Sequence, residues 1–491
     1  MSDTSASSAS SASSTESHEW ALANFGNTPL GDIRRRDRLI ELAGSMAAQP
    51  GASLPKLCNS NYATKATYNL LGHPEMKPDI IQANHRINVI RQIRNSKNSI
   101  LLVEDGTELS WKGKEPIKGL GPVGAGRKFE QGFLLQSVLA LETIPLESDA
   151  KTPGNTARSP VRVLGLADQQ YYVRPAKRKK TMRRRATSES IETDLWQNTV
   201  KRLPSFAEED KDIIRVCDRA ADIYEVINET EAAGLKYVIR GRHNRTLEKV
   251  TDADGNPVRL FQHLESLKPQ ATVEIFLRGR KGKKSRTVVL NLAYEAVSTR
   301  SPSRPGHKVG ELPSLEYTVL RVWEENPNEA SNEERIEWRL LTNLPVENDE
   351  DLKRIVEIYS TRWIVEDYHK ALKTGLNAEK LQLESVHNLK AAVAVMSVVA
   401  LRLIDLRERL RIMPDAPATE SGLDDIELQV LSKKTGRELK TVRCVGLAIG
   451  RLGGHLNRKR DGMPGIITLW RGMHELVRLV EGVRIGMQLN L

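Results

Sequence analysis

Two short apolar runs, residues 100–103 (Ile-Leu-Leu-Val) and residues 213–217 (Ile-Ile-Arg-Val-Cys), each lead into an aspartate, Asp105 and Asp218. Runs of this length and composition read as β-strands, and they do not stand alone. Similar runs occupy residues 133–141, 161–166 and 237–239, and helical stretches near residues 191–203 and 221–233 separate the later ones. Strands first in succession and then alternating with helices imply a mixed α/β sheet. At the carboxyl edge of such a sheet ligands bind, which is where both aspartates are expected. Taken singly, Asp105 reads equally well as the start of a turn and Asp218 as a helix cap.

Other patterns flank this core. Residues 19–93 read as helices, one of them (residues 33–46) carrying Arg34, Arg35, Arg36 and Arg38, which suit either a DNA-facing or a solvated helix face. From about residue 245 to 346 the alternation is of antiparallel type, with turn signals at Asp254-Gly255-Asn256 and Lys281-Gly282-Lys283. A helix is expected from Asp349 to about Lys373 and an apolar one over residues 388–409; the rest, to Leu491, is helical and basic. The expected organisation is a disordered Ser/Ala-rich tail (residues 1–17), a helical domain (18–95), an α/β domain (96–400) with a β-rich insertion at about 246–346, and a helical carboxyl-terminal domain (401–491).

Charge narrows the partner. A formal net charge of +11 over 491 residues favours a polyanion, nucleic acid before a membrane surface. Cys58, Cys217 and Cys444 form no CxxC pair and no zinc spacing, which suits a reduced, cytoplasmic protein. The longest apolar stretch, residues 391–401, is far short of the roughly 20 residues of a membrane span. No Walker loop or paired-histidine metal motif is present, and Gly119-Leu-Gly121-Pro-Val-Gly124 is discounted as a dinucleotide fingerprint because Pro122 lies inside its turn.

Within the helix begun at Asp349, Tyr359, Arg362, Glu366, Lys370 and Lys373 recur at spacings of three and four. At about 100° per residue they fall in a sector about 80° wide, opposite Ile364, Val365, Tyr368, Ala371 and Leu372. The apolar side is expected to dock on the sheet and the polar block to face outward. Two strand-end aspartates and Glu366 from this helix can then converge, and hard carboxylate oxygens suit Mg²⁺ or Mn²⁺. Two such ions about 3.5–4 Å apart can activate an attacking oxygen and stabilise a leaving one in phosphoryl transfer.

Tyr359-x-x-Arg362-x-x-x-Glu366, followed by Lys373, resembles the YREK signature of bacterial insertion-sequence DDE transposases. Val103-Glu104-Asp105-Gly-Thr-Glu-Leu-Ser110 and Val216-Cys-Asp218-Arg219-Ala-Ala-Asp222 are similar to that family's two aspartate segments. Leu30-Gly31-Asp32-Ile-Arg34-Arg35 resembles its DNA-binding domain, and Ala448-Ile-Gly-Arg451-Leu-Gly-Gly454 its dimerisation domain.

The resemblance implies an α/β, ribonuclease-H-like mixed sheet with a β-rich insertion, flanked by helical amino- and carboxyl-terminal domains. It implies cut-and-paste transposition: end nicking, hairpin formation and opening, then strand transfer. Asp105, Asp218 and Glu366 would be catalytic and hold two Mg²⁺ or Mn²⁺ ions. Double-stranded DNA, as transposon ends and target, would meet Tyr359, Arg362, Lys370, Lys373, Trp338, Arg219, Arg240, Arg242, His243, Arg245, Arg34 and Arg35. Trp338 would stack in the pocket of a flipped base. A homodimer in the DNA complex, no membrane, no nucleotide cofactor and a bacterial, nucleoid-associated location are also implied.

Gln136 stands where many relatives would carry His, and Asn244 where Pro is expected. The eight cations of residues 174–185, and Arg278, Arg280, Lys281, Lys283, Lys284 and Arg286, suit either sequence-independent phosphate contacts or solvated, disordered insertions. A nuclease of the same fold and a catalytically inactive, domesticated DNA-binding protein are the alternatives.

Overall fold

The computed structural model describes all residues except 1–12, 59, 114, 125–129, 146–157, 176–191, 278–285, 303–311, 325–335, 459–460 and 490–491. Most of the basic run at 174–185, and the second basic run except Arg286, therefore lie outside the described residues. So does residue 282, the centre of the second expected turn. The first helix, Ser13–Phe25, takes in the end of the segment expected to be a disordered tail.

One mixed sheet organises the chain. Its twelve described strands are β1 (Ile100–Lys112), β2 (Gly121–Pro122), β3 (Glu130–Thr143), β4 (Val161–Tyr172), β5 (Ile213–Cys217), β6 (Lys236–Arg240), β7 (Thr246–Thr251), β8 (Pro257–Arg259), β9 (Ala271–Leu277), β10 (Arg286–Thr299), β11 (Leu315–Glu324) and β12 (Glu337–Thr342). The order runs β2-β3-β1-β5-β6-β12-β11-β10-β7-β8, with β4 on β3 and β9 on β10. Strand β1 is antiparallel to β3 but parallel to β5, which is parallel to β6. Three antiparallel strands followed by two parallel ones, with the helices Asp194–Arg202 and Tyr224–Ala232 on either side of β5 in sequence, form a ribonuclease-H-like core.

The β-rich segment after residue 245 does not form a separate sheet. β12 pairs antiparallel with β6, so the insertion prolongs the same sheet. Gly255, at φ +82°, makes the β7–β8 turn, as the Asp-Gly-Asn signal requires.

Helices cover both ends of the chain. In the amino-terminal region two helices, Pro78–Ile81 and Ala83–Asn95, meet at Gln82. The buried Gln82 amide donates to Gln169 Oε1 at 2.8 Å and to the Ala394 carbonyl at 3.1 Å, tying this region to β4 and to the apolar helix Val386–Ile412. No helix among the described residues is long and apolar enough to cross a membrane.

Candidate active site

The register of two strands sets the site. The parallel pairing of β1 with β5 ends at Glu104↔Cys217, so Asp105 and Asp218 are the next residues on neighbouring strands. Side chains alternate along a strand, so both aspartates leave from the same face, on backbones about 4.8 Å apart. Asp105 is not at the end of β1, as the short apolar run suggested. β1 continues to Lys112 against β3, and Asp105 stands where β1 outruns β5. Asp218 caps the 3-10 turn Arg219–Ala221, its Oδ1 accepting from the Ala220 N–H at 2.8 Å.

The third acid comes from a helix that packs on this face. Asp349–Ser360 begins with a capping box between Asn348 and Asp351. The expected single helix is then interrupted. A turn at Thr361 and Arg362 precedes Trp363–Lys370, which passes into a π-helical turn, Ala371–Gly375. Ile364, Val365, Tyr368, Ala371 and Leu372 are buried, as the pattern required. The opposite side is not the uniform outward block expected. Tyr359 and Arg362 are buried, while Glu366 keeps 40 % of its side chain exposed and Lys370 is exposed. Tyr359 meets Trp338 edge-on, ring centroids 5.2 Å apart, and burial raises its phenol pKa. Tyr359 lies on the buried stripe of its own helix, with Leu352, Ile355 and Val356 at spacings of three and four.

Arg362 joins two of the three acids. Its Nη1 donates to Asp105 Oδ2 at 2.9 Å and its Nη2 to Glu366 Oε1 at 2.5 Å. Burial pushes the Asp105 carboxyl up to about 6, opposed by the Arg362 guanidinium; the like charges of Asp218 and Glu366 push it the same way as burial. Arg362 thus links Asp105 to Glu366 directly, and Asp218 enters through its place beside Asp105. Among the described residues no group of three or more His, Cys, Asp or Glu side chains is spaced to hold a metal ion. The donor chemistry suits a hard divalent cation, and the Arg362 guanidinium lies between two of its donors.

The remaining expected residues divide into free and engaged groups. Arg34, Arg219, Arg242 and His243 are exposed. Arg35 pairs with Glu75 and donates to the Leu30 carbonyl. Lys373 lies 3.9 Å from Glu379, whose carboxylate accepts from the Ser110 N–H. Arg240 donates to the Glu337 carbonyl at 3.0 Å. Arg245 is largely buried and forms an ion pair with the fully buried Asp222 at 2.5 Å. The other Asp222 oxygen accepts from the Arg242 and His243 N–H groups at 2.6 and 2.7 Å, shaping the loop that exposes their side chains.

Sequence reasoning missed Asp222 in this role, and also Trp363, an exposed ring against the Arg362 guanidinium at 5.1 Å. It missed Glu104 and Arg215, both fully buried. Arg215 left a signal, a cation inside an otherwise apolar run; Asp222 and Trp363 left none.

Three family models match consecutive parts of the chain. Transposase DNA-binding matches residues 17–76. Transposase DDE domain matches residues 192–401, which hold Asp218 and Glu366 but begin after Asp105. Transposase Tn5 dimerisation domain matches residues 412–489.

Proposed function

The chain is a DDE transposase with DNA-binding and dimerisation domains, and on that premise we propose that it moves an insertion sequence by the cut-and-paste, hairpin-forming route of the YREK group. Asp105, Asp218 and Glu366 are the catalytic acids. The observation that supports this most is the consecutive placement of Asp105 and Asp218 on parallel neighbours, with Arg362 bridging Asp105 to Glu366. A bound pair of Mg²⁺ or Mn²⁺ ions would activate the attacking oxygen and stabilise the leaving one. Asp105, Asp218 and Glu366 would hold them once Arg362 withdraws.

DNA supplies a reason for Arg362 to withdraw. A guanidinium forms bidentate contacts with phosphate as readily as with carboxylate. A backbone phosphate beside the acids would draw Arg362 away, and Lys370 and Lys373 lie on the same helix and the π-turn after it. Trp338 and Tyr359 form an aromatic wall beside Arg362 that suits a base taken out of the stack. Arg34 and Arg35 would contact end DNA from the amino-terminal domain, and Arg219, Arg242 and His243 from beside the site. Arg240 and Arg245 are assigned to shaping that surface.

The test uses end DNA, a divalent cation and pre-cut ends. Asp105→Ala, Asp218→Ala and Glu366→Ala are each expected to abolish nicking while end binding persists. The wild-type protein should join pre-cut ends to target DNA. Hydrolysis without joined product would identify a nuclease instead, and normal nicking by Asp218→Ala would remove Asp218 from the site.

A further inference from the structure

A second charged cluster lies on the back of the strands that carry the aspartates. Alternation directs Glu104 away from Asp105, and Arg215 and Cys217 share its face. Glu104 and Arg215 are both 0 % exposed. Arg215 Nη2 donates to Glu104 Oε2 at 2.6 Å. Glu104 Oε1 accepts from the Thr199 hydroxyl at 2.7 Å and from the Gln136 amide at 3.0 Å. Arg215 also donates to Thr230 Oγ1 at 2.6 Å and to the Trp196 carbonyl at 3.1 Å. One ion pair thus binds β1, β3, β5 and the helices Asp194–Arg202 and Tyr224–Ala232 together.

Stability alone is a poor reason for this arrangement. Desolvating two charges is costly, and apolar residues of similar volume often replace a buried pair without loss. Its place is more informative. Glu104↔Cys217 is the last register pair before the two aspartates. A slip of one residue between β1 and β5 would send one aspartate to the wrong face. The directional bonds of a guanidinium fork resist such a slip and the shear that precedes it; apolar side chains carry no such direction.

We infer that the buried Glu104–Arg215 pair is a positioning device, locking β1 against β5 so that Asp105 and Asp218 keep a fixed spacing on the opposite face. The inference rests on the catalytic reading above. Neither residue touches DNA; both act through the neighbouring positions. Gln136, one of the two positions that depart from the resembled family, belongs to this device because it holds Glu104.

The test uses the full chain with end DNA and Mn²⁺. Glu104→Gln/Arg215→Met removes both charges and nearly conserves volume. It is expected to melt within a few degrees of wild type. Its kcat for nicking should fall about 100-fold, the scale of a misplaced catalytic group, with KM for end DNA unchanged. Electron paramagnetic resonance should show Mn²⁺ held at least about tenfold more weakly by its DNA complex, equivalent to about 1.4 kcal/mol.

Arg215→Lys, which keeps the positive charge but not the planar fork, should recover part of the kcat lost in Arg215→Met. A double variant with wild-type kcat and Mn²⁺ affinity overturns the inference. Should the double variant not fold, Gln136→Leu removes one bond to Glu104 and leaves the ion pair; it is expected to lower kcat several-fold, and a wild-type kcat overturns the inference in the same way. Asp218→Ala, run alongside, separates the two readings. If it nicks normally the catalytic assignment fails, and if it is inactive beside a normal double variant only the positioning role fails.

Discussion

Replacing Arg362 with Gln is expected to make the DNA-free protein bind Mn²⁺ more tightly. In the wild type the guanidinium holds Asp105 and Glu366, and an incoming ion must break both contacts. The Asp105 contact is well shielded, with side-chain exposures of 10 % for Arg362 and 17 % for Asp105. A charge-assisted hydrogen bond of that kind contributes about 2 kcal/mol. Glu366 is 40 % exposed, so solvent screening reduces the second contact to about 0.5 kcal/mol. The sum, about 2.5 kcal/mol, corresponds to roughly 70-fold in affinity. The titration, by electron paramagnetic resonance, belongs at pH 8, because removing Arg362 takes away the cation that opposes burial at Asp105. Arg362→Lys should fall between the two. A Gln variant that binds Mn²⁺ no more tightly than wild type would refute the idea that Arg362 stands where the ions must enter.

Two further outcomes concern stability. Burial pushes the Glu408 carboxyl up, but Arg158, Arg407 and Arg411 outweigh it and hold the pKa at about 2, against 4.5 ordinarily. Its stabilising contribution is therefore fully present above about pH 4.5 and is lost as the pH falls towards 2. By linkage it amounts to about 3 kcal/mol, so urea unfolding of Glu408→Gln should lose less stability than wild type between pH 6 and pH 3; equal losses would contradict the assignment. At Gly51, φ is +77° and an added Cβ would lie 2.7 Å from the Gly375 carbonyl oxygen and 3.1 Å from the Trp470 ring. Gly51→Ala should lower stability by about 1–3 kcal/mol, read by calorimetry; an unchanged melting temperature would show that this junction yields freely.

Much of the site was legible because it rests on local patterns. The apolar runs before Asp105 and Asp218 mark neighbouring strands, and the apolar spacing around Glu366 marks a helix that packs. What escaped depends on contacts distant in sequence. Tyr359 shares a buried stripe with Leu352, Ile355 and Val356 and meets Trp338; the turn at Thr361 and Arg362 separates that helix from the one carrying Glu366, so one continuous helical spacing across both placed Tyr359 outside. Arg245 has the composition of a DNA contact, yet Asp222 claims it after the chain returns from β6. The insertion was readable as antiparallel strands, but its union with the main sheet depends on β12 meeting β6. Glu104 and Arg215 lie 111 residues apart, and only the parallel pairing of β1 and β5 brings them together.

Anomalous diffraction from Mn²⁺ in the complex of this protein with its end DNA tests the central claim most directly. Manganese peaks bonded to Asp105, Asp218 and Glu366, with Arg362 turned to a DNA phosphate, are the expected result. Manganese bound without Asp105 or Asp218, or with Arg362 still bridging Asp105 and Glu366, would contradict it.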